Sequence, residues 1–486
     1  MPGSNRIRAS CRVLADLAAL VEGCTVRVGG QSDVERALSP RRRGIARWPL
    51  GGAGFVLVRG RSGCRCPVVG AGGFTLSSPA FYCGIDWSEG LNDVAVVTRA
   101  GQLVAQARIP ETPGGITQLF ALLDGLRKGH SHGRRMVPVG IETDRGLLAE
   151  GLAGKGQPVY PIAPAVVTEY RRRLSPVRKK SDRTDAEIIA LVLRDDWGRI
   201  RPRYVPSAAA GSLATLVDAH RRARRTRLRL QGQLRSLLRS AHPAAVAAWS
   251  QLDGGLSRPE ARAVLTAAPT TAAAKRLTHY RLSKILAAAG RIRLVDAEAY
   301  RLLELFAEPV IARRADMERA VNVEVSGTLT LFDAACTVEA KLQESVEEAA
   351  AAHLHAPIYL SFPGCGLLTT ARLLAGIGDD LERFRDVRGL RAYAGIAPVT
   401  FASGSSRIVQ QRRVCNRALK TACHHWAFAS LTRSAGSRHL YDARRAAGDS
   451  HASALRRVAG RLLGGLHHCL GHDTMFDENI LFRSDL

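Results

Sequence analysis

Three β-type runs follow one another with no helix between them, and only afterwards do strands and helices alternate. The runs are "FYCGIDWS" from Phe81, "DVAVVTRA" from Asp93 and "QLVAQARI" from Gln102, with Gly101 at the turn joining the last two. Each is apolar, rich in β-branched or aromatic residues, and bounded by turn formers. Then "TPGGITQLFALLDGL" has helical apolar spacing, "MVPVGIET" reads as a fourth strand, "GLLAEGLAGKG" as a helix ending on glycine, and "PVYPIAP" as a short fifth strand. A three-strand meander followed by β–α units predicts a mixed sheet flanked by helices.

This order is that of ribonuclease-H-like nuclease domains, and it is expected over residues 80–204. Residues 1–79, rich in Gly, Arg, Ser and Pro and without sustained periodicity, read as a poorly ordered basic extension. Residues 205–356 read as long helices with coiled-coil tendency. Leu230, Leu234, Leu237 and Leu238 repeat at helical spacing, as do Leu331, Ala335, Val338 and Leu342. The run "RRARRTRLR" (Arg221–Arg229) fits either a solvated helix face or phosphate contact. Residues 357–486 open on "FPGCGLLTTARLLAGIGDD", where Gly364 and Gly366 permit a tight turn before an apolar helix. That pattern suits a helix-hairpin-helix element offering backbone N–H groups to a phosphate, and equally a turn used only for packing. Helices are expected at 414–432 and 453–470. "CHHW" and "HHC" fall in these helices and read as packing residues, and the ten cysteines fit no disulfide framework.

Lysine and arginine outnumber the acids 70 to 43, for a net charge of +27. A charge that large points to a polyanionic partner, nucleic acid before a membrane surface, since no apolar run approaches 18 residues. Cytoplasmic location is the matching expectation. Against this background "KKSDRTDAEIIALVLRDD" is unusual. Asp182 and Asp185 are neighbours on a helix, and Ala186, Ile189 and Leu193 continue their stripe. Both carboxylates are therefore expected to face the sheet, although Ser181 and Asp182 are also ordinary helix starters. Asp86 inside the first strand and Glu142 at the end of the fourth stand where such a helix meets them. Two close carboxylates repel by about 4 kcal/mol at an effective dielectric near 20. Divalent cations remove that cost, and two magnesium ions on this all-oxygen set would suit phosphodiester chemistry. The preceding Arg171, Arg172, Arg173, Lys179 and Lys180, with Arg183, read as the approach for a phosphate backbone. Asp144 reads as a cap for the next helix.

"GIDWS", "GIETDRG", "KKSDRTDAEIIA", "PGCGLLTTARLLAGIGD" and "AGIAPVTFASG" together resemble the DEDD-type insertion-sequence transposases of the IS-one-ten family, in order and over about residues 81–480. The resemblance places the family's four acids on Asp86, Glu142, Asp182 and Asp185. It places a catalytic serine on Ser403, flanked by Pro398 and Gly404; Gly404 joins Gly364 and Gly366 as an expected nucleic-acid contact. It also implies a RuvC-like domain, a helical linker and a mainly helical serine-bearing domain. The implied chemistry is metal-assisted, serine-linked exchange of donor and target DNA strands. Further implied are a structured bridge RNA as guide and a homo-oligomer, dimer or tetramer. Ser405 and Ser406 lie close enough to Ser403 to compete for the role on sequence alone. Two other functions fit the same residues: a RuvC-like nuclease without serine chemistry, and a non-enzymatic basic nucleic-acid-binding protein.

Overall fold

The computed structural model describes residues 79–128, 137–143, 146–174, 181–311, 314–404 and 406–482. It also gives the backbone of three short strands, β1 (Ala46–Trp48), β2 (Phe55–Leu57) and β3 (Val69–Gly70), which pair antiparallel in that order. The expected extension at 1–79 otherwise lies outside the described residues. The chain divides into two compact units, Met1–Arg203 and Tyr204–Leu486.

The first unit is built on a five-stranded sheet. β4 (Phe81–Asp86), β5 (Leu91–Thr98) and β6 (Leu103–Pro110) form an antiparallel meander, and β7 (Val139–Ile141) and β8 (Val159–Pro161) add in parallel on the β4 side. The order across the sheet is β6-β5-β4-β7-β8. Alternation along the strands sends Cys83, Ile85, Val94 and Val96 to one face. There they pack on Leu119 and Leu123 of α1 (Pro113–Lys128) and Leu148 and Leu152 of α2 (Leu147–Gly154). The other face, with Tyr82 and Val97, receives Ala190 and Leu193 of α4 (Asp182–Asp195). Val167 of α3 (Pro164–Leu174) packs with Ile188, Ile189 and Val192 of α4, and the Tyr170 hydroxyl donates to Asp195 Oδ2 at 2.7 Å. The expected mixed sheet flanked by helices is what these residues form.

Among its described residues the second unit is helical apart from one hairpin. α5 (Ala208–Ala241) and α6 (Ala315–Ala351) lie antiparallel and pass through two cores. Leu230, Leu234 and Leu238 meet Val325, Leu329 and Phe332 in one, closed by Trp249, Leu282, Leu302 and Phe306 from the short helices between them. Leu213 and Val217 meet Val346 and Ala350 in the other, with α7 (Leu367–Ile377), α8 (Arg417–Ser430), α9 (Ala435–Ala446) and α10 (His451–His472) packed around them. Of the second expected apolar stripe, Ala335 packs at the edge of the core and Leu342 is half-buried, but Leu331 and Val338 are exposed, and Val325, Leu329 and Phe332 are the buried residues. Apolar residues stand on more than one side of α6, and spacing alone does not say which side meets a neighbour. Cys423 and Cys469 are core residues, and burial pushes the Cys423 thiol up to about 12. Among the described residues no helix is long and apolar enough to cross a membrane.

Candidate active site

Two glycines let α4 lie directly on the sheet. A Cβ on Gly84 would fall 2.1 Å from the Ala186 carbonyl oxygen and 2.4 Å from the Ala190 nitrogen, and one on Gly140 would fall 2.9 Å from Ile189 Cγ2. Tyr82 packs further along the helix, against Ala190 and Leu193, so β4 and α4 run in opposite directions and the end of β4 meets the start of α4. Asp86, two residues beyond Gly84, shares its face. Ile141 is the parallel partner of Ile85, so Asp86 and Glu142 each follow at the same end of that strand pair. The first turn of α4 carries Asp182 and Asp185. The four expected acids therefore stand at the same end of the sheet, at the ends of β4 and β7 and the start of α4.

A fifth acid belongs to the same row. Asp93 lies directly opposite Asp86 across the β4–β5 pair and is 3% exposed. Two like charges so placed destabilise a sheet unless a cation intervenes. Arg108, its partner on β6, supplies one: its Nε and Nη2 donate to the Asp93 carboxylate at 3.2 and 3.0 Å. The Arg108 guanidinium is held above its ordinary value, first by that hydrogen bond, then by the charge of Asp93, with a smaller attraction from Asp182. Asp93 was missed in the sequence. Counting outward from the turn at Glu89–Gly90, where Gly90 has φ +85°, pairs it with Asp86.

The two helical aspartates divide. Asp185 is buried at 3% exposure, and Arg171 Nε donates to its Oδ1 at 2.9 Å with a second bond from Nη2. Asp182 is exposed, against the expectation that both face the sheet, because it is the first helical residue and precedes the overlap with β4. Neither aspartate is the N-cap; the Ser181 side chain accepts from the Thr184 N–H at 3.3 Å. Arg172 and Arg173 are exposed and pair with Glu169 and Asp195 at 3.3 and 3.5 Å, while Arg183 Nε stands 4.0 Å from Asp93 Oδ1. Lys179, Lys180 and Asp144 lie outside the described residues. Among the described residues no group of three acids, histidines or cysteines is placed to hold a metal ion. The buried Asp93 and Asp185 are turned to guanidinium groups instead. The donor type still suits a hard cation: every candidate ligand at this end of the sheet is a carboxylate.

Arg171 is thus tied to the site's interior, and removing it leaves Asp185 buried without its partner. Arg171→Met is expected to lower stability by about 2–3 kcal/mol. Thermal unfolding of the full chain checks this, and Asp185→Asn in the same chain should recover most of the loss. An unchanged melting temperature for the single variant would refute the pairing.

Ser403 ends β9 (Val399–Ser403), which pairs antiparallel with β10 (Ser406–Gln410). Ser403 faces Ser406 across the hairpin, and Gly404 in the turn has φ +56°, a conformation that favours glycine. From Thr400 to Gly404, and along all of β10, the residues are exposed, so the Ser403 hydroxyl stands at an open tip. Ser405 lies outside the described residues. Gly364 has φ +72°, and a Cβ there would fall 2.7 Å from the backbone of Ala429 and Ser430. Trp426 Nε1 closes the same turn on the Pro363 carbonyl at 3.1 Å. The Gly364 turn therefore serves packing against α8. Gly366 caps α7 and has open space where a Cβ would stand.

A family model for DEDD transposases of the IS110 type, described as "Transposase", matches residues 83–243, and one described as "Transposase IS116/IS110/IS902 family" matches residues 356–442. A protein of the IS117 mini-circle of Streptomyces coelicolor, named as that element's candidate transposase, is 41% identical over 401 residues, 82% of this chain and 96% of the relative. This chain belongs to the IS110-family transposases. The 43.6 kDa protein of insertion element IS110 from Streptomyces coelicolor is 26% identical over 84% of this chain and 98% of its own length. The 42 kDa protein of IS900 from Mycobacterium paratuberculosis is 31% identical over 64% of this chain and 71% of its own. The transposase is accordingly an enzyme that acts on DNA. One model spans the acidic row and the other ends beyond the Ser403 hairpin.

Proposed function

We propose that this transposase excises and inserts its element by serine-linked strand exchange, with Ser403 as nucleophile and Asp86, Glu142, Asp182 and Asp185 as the acidic centre. The observation that carries this reading is the placement of acids at the ends of β4 and β7 and at the start of α4, all at one end of the sheet. A meander extended by parallel strands, with acids at these positions, supports a ribonuclease-H/RuvC-like assignment for the first unit. Magnesium held by these carboxylates, two ions in the favoured form, would stabilise charge building on the phosphate oxygens. The residues themselves do the rest. Ser403 Oγ attacks the DNA phosphorus and forms a P–O bond; the bond to one strand end breaks, and that strand leaves as a hydroxyl, taking up a proton for the one the serine gives up. Reversal from another strand's hydroxyl restores the serine, so bond energy is kept through the exchange. The hairpin carries no acid or histidine to act as base for Ser403, so activation of its hydroxyl has to come from groups outside the hairpin. The charge of +27 supports a polyanionic partner; in this proposal the partners are DNA and a structured guide RNA, bound by a homo-oligomer.

The test is to trap the covalent protein–DNA adduct on a duplex spanning one element end, with magnesium and the transcript of the flanking non-coding DNA. A phosphoserine peptide at position 403 is the expected product. Strand cleavage without an adduct would instead identify a hydrolytic nuclease. Binding to the same duplex should also weaken with salt, log affinity falling against log salt by about 0.9 per neutralised phosphate. A flat response in a salt titration would contradict phosphate recognition.

A further inference from the structure

The β9–β10 hairpin displays more than a serine. Register pairs Phe401 with Ile408 directly, two cross-strand pairs below Ser403–Ser406 and on the same face, since residues two apart on a strand point the same way. Phe401 is 57% exposed and Ile408 51% exposed. Two-stranded hairpins are marginal alone in water, and large apolar side chains left uncovered on one mark a surface meant to be buried on a partner. Charge selects that partner. Between Asp386 and Asp442 the chain has no acidic residue, while Arg407, Arg412, Arg413 and Arg417 lie in and just after the hairpin. A second copy of the same face would bring like charges together; a polyanion would not.

We infer that Phe401 and Ile408 form an apolar wedge that packs on the bases beside the phosphate presented to Ser403, fixing that phosphate at the hairpin tip. Apolar side chains inserted at a base step partly unstack it, and flanking arginines hold the adjoining phosphates. The wedge rests on the proposed role of Ser403 and makes Phe401 and Ile408 positioning residues. Their spacing from the serine matches such a task. In an extended strand Phe401 lies two residues, about 6.6 Å, from Ser403 on the same face, close enough for one nucleotide and its phosphate to meet both.

The experiment places p-benzoylphenylalanine at Phe401 in the full chain and irradiates it with the element-end duplex, the flanking transcript and magnesium. Crosslinks to bases next to the exchanged phosphate are expected. Crosslinking to a second copy of the chain, or none at all, would overturn the wedge. Phe401→Ala should slow strand exchange about tenfold to a hundredfold with the melting temperature unchanged, and Phe401→Leu should recover most of the rate. Wild-type exchange by Phe401→Ala would also overturn it. Repeating the crosslink in Ser403→Ala separates the two ideas. A persistent DNA crosslink together with a persistent adduct sinks the serine assignment alone. A lost adduct with no crosslink from position 401 sinks the wedge alone.

Discussion

Ser403→Ala is expected to abolish the covalent adduct and to lower strand exchange by roughly 10⁴ or more, the scale seen when a nucleophile is removed. Nothing about folding should change. The hydroxyl stands at an exposed hairpin tip outside both cores of its unit. Surface substitutions of this kind stay within about 0.5 kcal/mol. Ser406→Ala is the matched control. It removes the hydroxyl directly across the hairpin, with the same exposure and the same turn, so a generic need for polarity there would affect both variants alike. The expected pattern is total loss of adduct for Ser403→Ala and a retained adduct for Ser406→Ala, read on denaturing gels and by peptide mass. The reverse pattern would move the nucleophile to Ser406. An adduct from both variants would remove serine chemistry from this face.

The features readable in the sequence are those set by local periodicity. The meander followed by alternating helices appears in period-2 apolar runs and glycine turns, and the inward stripe of α4 follows from Ala186, Ile189 and Leu193, all of it buried. What could not be read depends on who sits opposite. Asp93 looks like an ordinary polar residue near a turn until register places it against Asp86 and Arg108. Asp182 shares the stripe of Asp185 yet is exposed, because spacing gives the face of a helix and not where along it burial begins. Arg171 read as a phosphate ligand from its place in a basic run; its partner, Asp185, is fourteen residues away on the next helix. On α6 the difficulty is another one: apolar residues stand on more than one side, and spacing alone does not choose between them. The Phe401–Ile408 pair became visible only with the hairpin's register.

Asp86→Asn is expected to separate stability from activity. If Asp86 is a member of a metal-binding centre, losing its charge should cut magnesium-dependent strand exchange by about 10³. Stability should move the other way or not at all. Asp86 faces Asp93 across β4–β5, where like charges opposed cost about 0.2–1 kcal/mol, and an amide of the same shape removes that repulsion. A melting temperature equal to or slightly above that of the natural chain is therefore the expected companion of lost exchange. A structural aspartate would show the opposite signature: reduced stability, with exchange falling only as far as the folded fraction does. Asp93→Asn supplies the contrast. Its carboxylate is bound in two places by Arg108, so its replacement should lower the melting temperature and leave less of the activity loss unexplained by unfolding. Magnesium titrations of both variants complete the comparison, since a weakened ligand set needs more metal for the activity that remains. Unchanged exchange by Asp86→Asn at every magnesium concentration would eliminate the acidic centre at the end of β4, whatever the outcome at Ser403.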